Sequence, residues 1–202
     1  MKIILNESTV NLLTENESIN EIATTKNSKS KIPSRSSNVY FGKNVVKKVS
    51  KGRFSEVEIN AMKVMAENPQ YFAKTKIVNE RLAYQEKLNT SDLIDVLNDL
   101  ELEFYQNCRK NYNGLDTLFN TIVENGITPQ IKDHINCLKS TLSPELNVEF
   151  AKFIKLFINV HPIYKSNVNL FFNHKPDLHK HNLGYDNNKN IKIFDFINPL
   201  FF

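Results

Sequence analysis

Three oxygen-bearing side chains near the end of the chain have the types and spacing to do chemistry together: Asp177, Asn182 and Asp195. They lie in the stretch from His174 to Phe196, HKPDLHKHNLGYDNNKNIKIFDF. Between Asn182 and Asp195 stands GYDNNKN, a turn-rich run flanked by short apolar pieces. It predicts a β-hairpin with strands from Leu183 to Tyr185 and from Ile191 to Phe194. A hairpin brings its ends together, so Asn182 and Asp195 should meet with Asp177 just upstream. A hard cation such as Mg²⁺ binds to such a set, taking few protein oxygens and completing its shell with water and phosphate.

The same residues resemble the catalytic loop and metal-binding motif of the protein-kinase-like superfamily, H-R-D-L-x-x-x-N followed by D-F-G. Asp177-Leu178 matches the D-L, Asn182 the N and Asp195-Phe196 the D-F. The resemblance implies a base at Asp177 that accepts the proton of a substrate hydroxyl. It implies that Asn182 and Asp195 hold Mg²⁺, or Mn²⁺, against the phosphates of ATP. Three letters depart from the pattern. Lys175 stands two before Asp177, with His174 next to it; Ile197 replaces the Gly of D-F-G; and His179 gives D-L-H-x-x-N, which is closer to aminoglycoside-type and other atypical kinases.

The elements that must position these residues are legible upstream. Residues 1 to 31, rich in Ser, Thr, Asn, Lys and Glu, read as a flexible arm. Asn38 to Phe41, Gly42-Lys43-Asn44 and Val45 to Val49 then read as strand, turn, strand. By the resemblance Ile32 to Ser37 occupies the phosphate-covering loop, with serines where the family has glycines. Val45-Val46-Lys47 matches the end of V-A-I-K, whose Lys grips the phosphates. Strand alternation puts only one of Lys47 and Lys48 on the cleft side; Lys47 is favoured and Lys48 is the rival. Ser55 caps a helix from Phe54 to Asn68 in which Glu58, with Glu56 as its alternative, resembles the carboxylate that pairs with the strand Lys. Phe72 to Val78 and Leu82 to Gln85 read as two more strands. The second runs into a hinge whose backbone at Glu86 and Leu88 would bind the adenine edge.

From residue 89 to 160 the apolar periodicity is helical. Thr90 or Ser91 caps a first helix, Gly126 ends a second, Thr128-Pro129 opens a third and Ser143-Pro144 a fourth, which should stop before His161-Pro162. These stripes are core. The expected fold is α+β: a protein-kinase-like bilobed arrangement with a small antiparallel-sheet lobe at 32–88 and a reduced, mainly helical lobe at 89–202. It resembles the minimal kinases of phages and bacterial effectors, and the apolar Leu200-Phe201-Phe202 should pack back on the body or meet a partner.

The 202 residues are 41% hydrophobic and 24% charged with net charge +4, ordinary values for a globular protein. Lys and Arg are scattered without an aromatic-basic repeat, so specific nucleic-acid binding is not expected. No run approaches a membrane span, and Met1 to Leu5 is too short for a signal-peptide core. Cys108 and Cys137 read as separate thiols of a reducing compartment, and the chain as cytoplasmic, in a host cell if it is viral or an effector. The expected activity is ATP-dependent transfer of the γ-phosphate to a protein hydroxyl, as in serine/threonine kinases. Alternatives are a pseudokinase that only binds a partner protein, a small-molecule kinase, and a zinc hydrolase built on His174, His179 and His181.

Overall fold

The computed structural model describes residues 31–33, 37–108 and 114–197. The expectations for the N-terminal arm, for loop positions 34–36 and for the apolar end at Leu200 to Phe202 lie outside these residues.

The chain is α+β. Five antiparallel strands are ordered β1-β2-β3-β5-β4, with β1 at Lys31–Pro33, β2 at Ser37–Phe41, β3 at Val45–Ser50, β4 at Thr75–Asn79 and β5 at Leu82–Glu86. β-Branched and aromatic residues dominate β2 and β3, as pleated half-buried surfaces favour. The turn between them closes through the Gly42 amide on the Val45 carbonyl at 2.8 Å. Helix α1, Glu56–Glu67, crosses between β3 and β4. It packs Met62 against Ala83 and Phe54. β4 begins later than its apolar run suggests, because Phe72 and Ala73 pair elsewhere.

Four helices make the rest of the body: α2 at Ser91–Asn107, α3 at Leu115–Asn125, α4 at Pro129–Thr141 and α5 at Pro144–Asn167. Their stripes meet in one core that includes Leu97, Phe104, Phe119, Ile122, Phe153 and Phe157. Thr128 and Ser143 cap α4 and α5 through side-chain oxygens that accept the Ile131 and Leu146 amides. Two expectations are corrected here. Helix α5 does not stop at His161-Pro162 but runs on to Asn167. The carbonyl that Pro162 leaves without its helix donor belongs to Ile158, which faces outward and is open to water, while Val160 and Tyr164 keep the inner face packed. Nor are the two cysteines separate thiols. Cys108, at the end of α2, and Cys137, in α4, form a disulfide with Cα atoms 6.0 Å apart. Their helices cross only in the folded chain, which no local pattern reports. The pairing removes the free-thiol argument for a reducing compartment.

A second, two-stranded sheet holds β6, Leu183–Tyr185, against β7, Ile191–Ile193, with Leu183 opposite Ile193 and Tyr185 opposite Ile191. All six of its residues are buried. Both outer edges are paired as well. Tyr185 and Asn89 exchange two backbone hydrogen bonds at 2.8 Å. On the other side the Ala73 amide donates to Ile193 at 2.8 Å and the Ile193 amide to Tyr71 at 3.0 Å. The hairpin is thus stitched to the segments before β4 and after β5. Among the described residues no helix is long and apolar enough to cross a membrane.

Gly184 marks how close this stitching is. A Cβ there would come within 2.6 Å of the Leu88 Cβ and 3.2 Å of the Asn89 carbonyl oxygen, neither of which can swing aside. Gly184→Ala should therefore lower stability by about 1–3 kcal/mol, the usual cost of overpacking, read as a lower urea midpoint. An unchanged midpoint would mean that residues 88 to 90 yield freely.

Candidate functional site

Alternation along β3 decides which lysine enters the cleft. Lys48 pairs with Val39 on β2 and Ala83 on β5, and Val46 with Phe41 and Gln85, so these residues share one face. Lys47 lies on the other face, opposite Tyr40 and Tyr84, with its ammonium 5.9 Å from the centre of the Tyr40 ring. The preference for Lys47 is corrected: Lys48 is the one on the cleft side. Its Nζ lies 3.6 Å from Asp195 Oδ1. At 18% and 58% side-chain exposure this pair is worth roughly 0–1 kcal/mol. It is a consequence of the fold, not a cause of it.

Between the sheet and Asp195 lies a cavity of about 250 Å³, near the lower edge of the roughly 300–1,000 Å³ usual for small-molecule sites. Val39 and Val46 line it from the sheet, and Leu88, Thr90 and Phe194 from the body. Glu86 and Leu88 both reach it, with different freedom. The Glu86 amide is taken by the Lys74 carbonyl at 2.8 Å and the Lys87 amide by the Asn44 carbonyl at 3.0 Å. The Leu88 amide and carbonyl have no backbone partner among the described residues.

The hairpin mouth brings Asp177, Asn182 and the 195–196 segment together. The Asp177 amide donates to the Phe196 carbonyl at 2.9 Å, and the Phe194 amide to the Asn182 carbonyl at 3.0 Å. Asn182 is buried, and its Nδ2 donates to the Asp177 carbonyl at 2.8 Å and to Asp177 Oδ2 at 3.4 Å. Its Oδ1 takes no hydrogen bond among the described residues. The Asp195 carboxylate is exposed and lies beside Lys48. Phe196 anchors the segment beneath, edge-on to Phe72 at 5.0 Å, Phe171 at 5.9 Å and Tyr164 at 6.2 Å between ring centres.

Two residues that hold this site were not singled out from the sequence. Gln85, 3% exposed, donates from Nε2 to the Phe194 carbonyl at 2.7 Å and so ties β5 to the residue before Asp195. Asn120 on α3 accepts the Leu178 amide at 2.8 Å and donates to the Leu178 carbonyl at 3.2 Å, pinning the residue after Asp177. The available signal was a lone amide inside the apolar stripe of α3.

Glu58 requires a correction. Its Oε2 accepts the Ser55 amide at 2.7 Å and the Ser55 hydroxyl at 2.9 Å, completing a capping box at the start of α1. The carboxylate beside the cleft lysine is that of Asp195. Glu56 lies in the same first turn of the helix. The histidines sit around Asp177 without forming a metal cluster. His179 Nε2 is 3.7 Å from Asp177 Oδ2, and the His179 and His181 rings are 5.8 Å apart. Among the described residues no group of three or more His, Cys, Asp or Glu is placed to hold a metal.

Behind the cleft, Lys192 is buried between two carboxylates, 3.4 Å from Glu86 and 3.3 Å from Asp186. Asp186 organises the hairpin turn by accepting the Asn188 and Asn190 amides at 2.9 Å. Burial pushes its carboxyl up. The Asn190 backbone and side chain, the Asn188 amide and Lys192 outweigh this and hold it below the ordinary 3.8. At the start of α3, burial and then the Glu101 charge raise the Asp116 carboxyl.

Compared with family models, with curated proteins and with solved structures, the chain matches none.

The Lys192 contacts predict that Lys192→Met, which leaves Glu86 and Asp186 facing without their cation, costs about 3–5 kcal/mol in chemical denaturation at neutral pH. The Asp186 shift sets the pH dependence. A carboxyl whose folded value is depressed contributes stability above the ordinary 3.8 and loses it as pH falls through the folded value. Asp186→Asn should lower the urea midpoint at neutral pH and converge with the unaltered protein once the carboxyl is protonated. Parallel curves at every pH would remove the charge from the explanation.

Proposed function

We propose that the chain is an ATP-dependent phosphotransferase of reduced, bilobed protein-kinase-like form that passes the γ-phosphate to a protein hydroxyl. One observation carries the reading. A lysine from the five-stranded sheet pairs with Asp195 at the wall of a cavity, while Asp177 and Asn182 are hydrogen-bonded to each other at the hairpin mouth that holds Asp195. The family motifs spread those residues over three separate elements.

In this reading the apolar walls at Val39, Val46 and Leu88 clasp the base, and the open Leu88 backbone meets its edge. Lys48 grips the phosphates. Asn182 and Asp195 would hold Mg²⁺ or Mn²⁺, which when bound neutralises charge on the phosphates. Asp177 takes the proton of the acceptor hydroxyl. The acceptor oxygen forms the new bond to the γ-phosphorus, the bond to the β,γ-bridging oxygen breaks, and its electron pair leaves with ADP. Asn182 holds the Asp177 carboxylate in place, and His179 lies near enough to stabilise its charge when protonated. A cytoplasmic setting, of the host if the protein is viral or an effector, agrees with the need for ATP; the disulfide does not.

A pseudokinase reading is favoured by one feature: Glu58 is committed to a helix cap, so Lys48 lacks the helix carboxylate that active kinases use to steady it. Transfer of label from γ-labelled ATP with Mg²⁺ or Mn²⁺ decides between the two. Asp177→Ala and Asp195→Ala should each reduce transfer by about 10²–10⁴-fold, the range of acid–base and charge-stabilising groups. Lys48→Ala should cripple it, and Lys47→Ala should leave it within about twofold, since its ammonium faces the opposite side of the sheet. Nucleotide binding without transfer would support the pseudokinase, and absence of both would remove the fold-based reading altogether.

A further inference from the structure

A second cavity, of about 480 Å³, reaches Asp177 from the helical side, between α3 and the turn that follows α5. Resting on the phosphotransferase reading, we propose that this cavity is the acceptor site and that it selects hydroxyl-bearing peptides with a Lys or Arg beside the acceptor. Glu124 is the carboxylate that receives the cation.

Four observations converge on this. Asp177, the group that takes the acceptor proton, lines this cavity, so a hydroxyl placed there lies beside the base. The lining from α3 is rich in hydrogen-bond acceptors. Thr121 spends its hydroxyl proton on the Thr117 carbonyl at 2.7 Å and turns only oxygen lone pairs outward, while Asn120 is spent on Leu178. Glu124 adds a carboxylate with 21% side-chain exposure, whose partner Lys175 is 81% exposed and 3.6 Å away. A half-buried carboxylate held by a solvent-borne ammonium is a cation site occupied from within the chain. An exposed pair of this kind is weak and is readily exchanged for a cation that arrives with a substrate. Finally, the wall opposite α3 is built by a turn in which Phe172 and Asn173 are consecutive left-handed residues, with φ of 50° and 60°. The turn is closed by the Asn173 amide on the Val168 carbonyl at 3.2 Å and the His174 amide on the Phe171 carbonyl at 2.8 Å. Here it delivers Asn173, His174 and Lys175 to the rim.

Among the described residues, the charged and titratable groups that line the cavity with Glu124 are Lys175, His174 and Asp177, and the Tyr164 hydroxyl is raised by burial and then by the Glu124 charge. The transfer itself is unchanged. The peptide O–H proton goes to Asp177, the O–P bond forms, and ADP departs.

The test uses the full chain and two fluorescent serine peptides, one flanked by Arg and one by Glu, in binding without nucleotide and in label transfer with ATP. The Arg peptide should bind at least tenfold tighter. Glu124→Gln should abolish that preference by raising KM with kcat nearly constant, and Glu124→Lys should reverse it toward the Glu peptide. Lys175→Ala should tighten the Arg peptide several-fold by vacating the site, and it guards against a Glu124 variant that fails to fold. Transfer without any preference for the Arg peptide overturns this inference and leaves the phosphotransferase reading intact. A Glu124-dependent preference in binding without transfer keeps the cavity as a site for cationic peptides and overturns the transfer chemistry instead.

Discussion

The backbone hydrogen bonds along both edges of the β6–β7 hairpin are what the rest of the structure depends on. A three-residue-per-strand ribbon is far too small to be stable alone. It persists because Asn89 extends it on one side and Tyr71 to Ala73 on the other, and because all six strand residues are buried. Those borrowed partners come from the ends of the five-stranded sheet, so the ribbon cannot form without also fixing where the sheet stands. The position of Lys48 relative to Asp195 follows from that attachment. The ion pair between them is too exposed to create it.

Polar contacts reinforce the same join. Lys192 draws together the last residue of β5 and the hairpin turn, and Gln85 binds the carbonyl of Phe194. Buried charges of this sort add little net stability against an apolar alternative, yet removing one member leaves the others uncompensated. They join Glu86 of the sheet to Asp186 of the hairpin turn, and Gln85 to Phe194. Beneath, Phe196 sits among Phe72, Tyr164 and Phe171, and the aromatic contacts set the depth at which Asp195 emerges.

The helical body contributes through Asn120 and His161. The first holds Leu178 by both its amide and its carbonyl, and the second places a ring nitrogen 2.8 Å from the Val123 carbonyl, binding α3 to α5. Helix α3 thereby faces the stretch around Asp177 and Leu178 directly, and a cavity opens beside Asp177 where the two do not fill the space. The disulfide between Cys108 and Cys137 ties α2 to α4 around this arrangement.

Local chemistry was enough to read the hairpin, the caps at Ser55, Thr128 and Ser143, and the apolar stripes of the four body helices, because each depends on residues within a turn or two of one another. The pairing of Asn182 with Phe194, the residue before Asp195, was legible for the same reason, since a tight turn joins their strands. Whether Lys47 or Lys48 enters the cleft was not. Alternation says only that they differ, and the choice of face comes from where α1 and the hairpin pack. Glu58 was read as the ion-pair partner of the strand lysine, although its spacing three residues after Ser55 is that of a capping box. Pro162 looked like an end until the packing of Val160 and Tyr164 outweighed it. The disulfide, Lys192 between two carboxylates, Asn120 and the cavity at Glu124 all join segments far apart in the chain. Such contacts exist only once the elements are assembled, so the tertiary structure alone could decide them.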